Sequence, residues 1–213
     1  NSMEQQEQQQ MPKLSLERLR AYEPQAGDFE IVETYPPGSN FDRYKAAYES
    51  DGLTIYGQLT IPRMEAPEGG FPAILFIHGY IPPDVYSTLN SYPTYQAALA
   101  QAGFVTFKPD LRGHGDSQGE PSSAHYSHDY VIDTLNALAY LQKDPRVNSR
   151  RIGYWGHSNG GEIGLRVAVV NSDIRAYSFW AGVVGSYESM FEINVDSIPF
   201  LERNNPLTTE YGL

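Results

Sequence analysis

The chain has 213 residues, 40% of them hydrophobic, with a net charge of −11 and no cysteine. That length supports one sizeable domain, and the acidity argues against nucleic acid, which needs basic patches. Without cysteine there is no disulfide framework, zinc-thiolate site or cysteine nucleophile. No apolar run reaches the length of a membrane span, and the composition fits the cytoplasm as well as the periplasm or exterior.

Residues 1–13 open on a glutamine-rich polar run with nothing to bury, which reads as a disordered linker or a tag remnant. Residues 14–43 read as an N-terminal arm lying on the body of the domain. Within it Leu14, Leu16, Leu19 and Tyr22 suggest a short amphipathic helix capped by Ser15, and Pro36-Pro37-Gly38 breaks the chain. The domain proper starts near residue 44. Tyr44–Ser50 and Leu53–Ile61 are β runs around Asp51-Gly52, a hairpin turn.

Phe71–Ile77 is a continuous apolar run, expected as a central strand buried on both faces, and it ends in His78-Gly79-Tyr80. Tyr95, Ala98, Leu99 and Ala102 make a helical stripe that stops at Gly103. The strand Gly103–Asp110 follows, then the loop Leu111-Arg112-Gly113-His114-Gly115-Asp116-Ser117. Val131, Leu135, Leu138 and Leu141 make a second stripe, closed by Asp144-Pro145. His125 and His128, three apart near Asp129, have a spacing that can hold a metal, but no third ligand is evident and none is assigned.

Arg151–Trp155 is a short β run, Gly161–Val170 a helical run, and between them stands Gly156-His157-Ser158-Asn159-Gly160. Strand, Gly-x-Ser-x-Gly, helix is the layout of a nucleophile elbow, a turn too tight for side chains at its two glycines, with the serine hydroxyl at the apex. Ile174–Trp180 is one further strand, and Tyr187–Ile193 and Ile198–Arg203 read as loop and short helix. Alternating strands and helices give an α/β architecture: a mainly parallel sheet with helices on both faces and an antiparallel N-terminal hairpin at one edge.

Together, His-Gly-Tyr, Asp-Leu-Arg-Gly-His-Gly-Asp-Ser, Asp144-Pro145 and Gly-His-Ser-Asn-Gly-Gly resemble the α/β-hydrolase superfamily over about residues 44 to 190. More narrowly they are similar to prolyl-oligopeptidase-like (S9-type) and dienelactone-hydrolase-like serine hydrolases. The resemblance implies that Ser158 is the catalytic nucleophile and that the backbone N–H groups of Tyr80 and Asn159 form the oxyanion hole. It gives His78 a loop-shaping role and Asp110 and Arg112 bracing roles, and it implies no cofactor.

The family order of the triad is Ser, then Asp or Glu, then His. All five histidines, His78, His114, His125, His128 and His157, precede Ser158. Residues 44–213 are therefore expected to be the front part of a single hydrolase domain, incomplete at its C-terminal edge. The catalytic acid and histidine would come from a C-terminal remainder, in the same gene product or a second chain. His114 is the least implausible local substitute, though a structural role suits it better. The expected activity is cleavage of a small-molecule carboxylic ester through an acyl-enzyme. Nothing in residues 1–43 resembles the propeller that filters peptides in S9 enzymes, which favours esterase over short-peptide peptidase. A non-catalytic binding module with the same fold is a further alternative. Residues 183–213 either cap the pocket or form a connecting helix.

Overall fold

The computed structural model describes residues 14–122, 124 and 127–185. Their strands are β1 (Glu30–Tyr35), β2 (Phe41–Ser50), β3 (Leu53–Pro62), β4 (Phe71–Ile77), β5 (Val105–Pro109), β6 (Val147–His157) and β7 (Ala176–Trp180). Their helices are α1 (Leu16–Arg20), α2 (Pro93–Gln101), α3 (Asp129–Lys143) and α4 (Asn159–Val170). The strands form one sheet in the order β1-β2-β3-β5-β4-β6-β7. The pairs β1–β2, β2–β3 and β3–β5 are antiparallel, and β5–β4, β4–β6 and β6–β7 are parallel. No helix among the described residues is long and apolar enough to cross a membrane.

Local chemistry explains most element boundaries. Asp51 and Gly52 both have positive φ, as the tightest hairpin turns require, and β2 and β3 pair without a register break on either side. Ser15 caps α1 by accepting from Arg18 N–H. Gly103, at φ 90°, ends the α2 segment. Asp144 is extended because Pro145 disfavours helical geometry in the residue before it, and α3 stops there.

Two expectations need correction. The arm contains a strand: β1 lies along β2, so the sheet edge is β1 and not the hairpin. Its Ile31 and Val32 are exposed, so the strand is held by backbone pairing and carries no burial pattern to read. The inward face of α2 is also different. Tyr95, Ala98 and Ala102 are exposed, whereas Gln96 and Ala100 are buried. The Gln96 amide donates to Gln58 O and to Thr106 Oγ1, next to the Thr60–Thr106 hydroxyl pair. A polar patch on β3 and β5 thus selects a polar helix residue, and the Tyr95 ring turns instead toward Trp155 and Trp180.

Helix α3 buries the expected Val131, Leu135, Leu138 and Leu141, but also Asp133 and Asn136. Asp133 accepts from Ser50 Oγ at 2.7 Å, from the Arg112 backbone N–H at 3.0 Å and from the Arg112 guanidinium at 2.8 Å. Asn136 donates to Ser50 Oγ and Tyr22 Oη and accepts from Gln25 N–H. One polar flank of α3 therefore fastens the arm, the end of the first hairpin and the loop after β5.

Breaking a buried ion pair by removing one partner strands the other charge. Asp133→Ala should lower the unfolding free energy by about 3–5 kcal/mol, read from urea titration of the complete protein. A loss below about 1 kcal/mol, the size of an exposed pair, would contradict this account.

Candidate active site

Three backbone segments meet at Ser158: the β6–α4 turn, the loop leaving β4, and the chain just past β7. The turn is the tightest of them. Ser158 has φ 52° and ψ −115°, a conformation that residues with a Cβ avoid. A Cβ at Gly156 would lie 2.5 Å from Gly160 O, and one at Gly160 would collide with Ile77 O at the end of β4. Both glycines are thus required by close backbone approach. Tyr154 Oη donates to Gly160 O at 2.5 Å and holds the first turn of α4 from below.

The serine backbone is itself clamped. Its N–H donates to Trp180 O at 3.0 Å, and its C=O accepts from Gly161 N–H at 2.8 Å and Val183 N–H at 3.0 Å. Serine at a helix N-cap ordinarily spends its hydroxyl on a backbone N–H of the first turn. Ser158 does not cap α4, and among the described residues its hydroxyl has no hydrogen-bond partner.

The loop after β4 runs alongside. A Cβ at Gly79 would stand 2.8 Å from His157 Nδ1, 2.9 Å from Tyr92 Oη and 3.0 Å from Ser158 Cβ, so this glycine brings the loop backbone against the serine. Among the described residues neither the Tyr80 nor the Asn159 backbone N–H has an acceptor. For Asn159 the cause is general: the first N–H groups of a helix have no intrahelical partner. The Tyr80 side chain is 69% exposed.

His78 sits behind this loop, fully buried. Its Nδ1 is 2.7 Å from Gly79 O and its Nε2 is 3.3 Å from Asp110 O. Burial, reinforced by the nearby Lys108 charge, pushes its pKa down to about 3, so the ring is neutral. The short contact makes Nδ1–H the donor. Because the Gly79–Tyr80 peptide is planar and trans, a hydrogen bond holding Gly79 C=O toward His78 turns the Tyr80 N–H the opposite way.

A second buried network anchors the rest of the loop. Asp110 accepts from Tyr86 Oη at 2.7 Å and Thr88 Oγ1 at 2.5 Å. Lys108 donates to Tyr86 Oη at 2.9 Å and Thr88 O at 3.0 Å. Burial lowers the Lys108 pKa to about 8, with Asp110 opposing, and burial raises that of Asp110, with Lys108 opposing. Asp110 and Arg112 thus occupy bracing positions, Arg112 through Asp133 and Asp129. Nothing in the sequence pattern singles out Tyr86, Thr88 or Lys108 as their companions.

The histidines are dispersed. His114 is buried with Nδ1 3.2 Å from Arg112 O. His128 Nε2 is 3.1 Å from Ser15 O. The His157 ring turns to Tyr92, with Nδ1 2.7 Å from its hydroxyl. No described histidine hydrogen-bonds the Ser158 hydroxyl. His125 and residues 186–213, with the segments suggested as a pocket cap, lie outside the described residues.

Residues 72–203 match the family model described as serine aminopeptidase, S33. An uncharacterized peptidase, YtmA of Bacillus subtilis, is 29% identical over 148 residues, 69% of this chain and 54% of the relative. The chain thus spans about half the length of that relative, and it covers 32% of the length of an uncharacterized 31.7 kDa protein of Escherichia coli that is 32% identical over 97 residues. Among solved structures, an acetyl xylan esterase from Paenibacillus superposes with a TM-score of 0.70 at 20% identity, covering 98% of this chain and 75% of that one. Acetyl xylan esterase 1 from Thermoanaerobacterium gives 0.67 at 20% identity, covering 89% and 62%. These likenesses show the α/β-hydrolase fold.

The His78 environment makes a signed prediction. Its folded pKa of about 3 lies below the unfolded value of about 6.5, so its stabilising contribution is complete above pH 6.5 and is lost as pH falls toward 3. Over that window the unfolded chain binds one proton more. His78→Asn should flatten the stability-versus-pH curve between pH 6 and 4 by about 1.4 kcal/mol per pH unit. Parallel curves for the two proteins would show that the ring titrates normally.

Proposed function

The chain belongs to the serine aminopeptidase S33 family of α/β hydrolases, and from that premise we propose that Ser158 is the nucleophile of a carboxylesterase working through an acyl-enzyme. The observation that carries this reading is the Ser158 turn: a strained, clamped backbone whose hydroxyl is not spent on its own helix, close to two backbone N–H groups, of Tyr80 and Asn159, that have no acceptor among the described residues. A turn serving only to connect β6 to α4 would gain from capping and would not need the strain.

In this mechanism the Ser158 hydroxyl attacks the ester carbonyl while a histidine takes its proton. Negative charge then develops on the carbonyl oxygen. The Tyr80 and Asn159 N–H groups receive it, prearranged and with no reorganisation at the moment of reaction. Collapse releases the alcohol, and water later cleaves the acyl-enzyme. The sequence has no histidine after Ser158. The general base and the carboxylate that orients it belong, in this reading, to the remainder of a hydrolase domain lying C-terminal to this chain. The longer relatives are consistent with that.

The substrate is proposed to be a small carboxylic ester, a reading supported by the esterase names of two of the solved structures that share the fold. The second reading, hydrolysis of a short peptide amide, draws on the family description and the peptidase-named relative.

In the complete protein, a fluorophosphonate probe should label Ser158. Ser158→Ala should remove labelling and lower kcat on nitrophenyl acetate by roughly 10⁵- to 10⁶-fold. Substantial activity in that variant would refute the nucleophile. Faster turnover of an aminoacyl amide than of the ester would select the peptidase, and inertness toward both would select a binding module.

A further inference from the structure

Tyr92 is the residue before Pro93, where α2 starts, and it holds φ 62° and ψ 33°, left-handed geometry that a residue with a side chain rarely adopts. It does not cap the helix with its side chain. Its hydroxyl instead accepts from Gly79 N–H at 3.0 Å and lies 2.7 Å from His157 Nδ1. The arrangement that pairs all three groups has the phenol accepting from Gly79 and donating to the unprotonated His157 Nδ1. Burial raises the Tyr92 pKa above its ordinary value, so the phenol keeps the proton it donates. The ring is fixed edge-on to Phe76 and Trp155, with centroids 5.7 Å and 6.1 Å away.

Gly79 is the freest residue of the loop that carries Tyr80 N–H. Two bonds remove that freedom. His78 holds its C=O, which sets the plane of the 79–80 peptide. Tyr92 holds its N–H, which sets the plane of the 78–79 peptide. The same phenol reaches the residue immediately before Ser158. One hydroxyl therefore sets both the twist of the loop and its separation from the serine turn.

We propose that Tyr92 is a positioning residue, whose hydroxyl bridges Gly79 N–H and His157 Nδ1 and so aligns the Tyr80 N–H with the carbonyl attacked by Ser158. The inference rests on the Ser158 reading above. Its effect is confined to the transition state: a donor displaced by a fraction of an ångström still admits substrate but loses charge stabilisation as the oxyanion forms.

The test is steady-state ester hydrolysis by the complete protein. Tyr92→Phe keeps the ring and removes the bridge. It should lower kcat by roughly tenfold while KM changes less than about twofold. His157→Leu should do the same, the double variant should fall no further than either single one, and His157→Asn, whose carbonyl oxygen can accept in place of Nδ1, should recover most of kcat. Multiplying losses in the double variant would overturn the bridge. So would a Tyr92→Phe enzyme with wild-type kcat while Ser158→Ala is dead. If Tyr92→Phe does not fold, equal kcat in His157→Leu and His157→Asn overturns it instead. An active Ser158→Ala protein, or an inactive wild type, removes the site reading and this proposal with it.

Discussion

The backbone at Ser158 is held where an L-residue does not go unaided, and much of the surrounding structure is arranged to hold it there. Trp180 O and Val183 N–H grip the serine peptide from one side. Ile77 and Tyr154 press on Gly160 from the other. Ile77 ends β4, Tyr154 lies on β6, and Trp180 ends β7 with Val183 just beyond it, so the turn exists only when β4, β6 and β7 are in register. Such strain persists when neighbours over-determine it, and here they do.

Behind the turn, the polar chemistry is buried and almost fully paired. Arg112, Asp133, Ser50 and Asn136 join the arm, the first hairpin and the loop after β5. Lys108, Tyr86, Thr88 and Asp110 join the loop after β4 to the end of β5. Ion pairs of this sort add little net stability over an apolar core, but they tolerate only one arrangement of their partners. That property holds the loops around Ser158 in a single arrangement. The neutral His78 belongs to the same scheme: an imidazolium there would add a second positive charge beside the buried Lys108.

The site draws on three segments far apart in sequence. His78 to Tyr80 and His157 to Asn159 are brought together by parallel pairing of β4 with β6, and Tyr92, at the start of α2, joins them through its hydroxyl. Their shared contact point is Gly79, whose missing side chain leaves room for a phenol, an imidazole and the serine Cβ at once. The order of strands puts the loops after β4 and β6 at neighbouring strand ends, where ligands of open α/β sheets bind.

The apolar runs, the Asp51-Gly52 turn, the Gly103 and Pro145 stops and the Gly-x-Ser-x-Gly motif each act within a few residues, and they made the sheet, three of the helices' ends and the elbow legible in the sequence. Where partners are distant, the reading stopped. Gln96 faces inward because β3 and β5 present polar groups there. Strand β1 exists because β2 offers an unpaired edge, although its own Ile31 and Val32 stay exposed. Tyr86, Thr88, Tyr92, Asp133 and Asn136 are ordinary residues of loop and helix until folding gives each a buried partner. Local sequence determined which conformations each segment prefers, because steric limits and hydrophobic period act between near neighbours. Only the tertiary structure decided which polar side chains go inside, because a buried hydrogen bond is stabilising only when the other half of the pair, dozens of residues away, arrives at the same place.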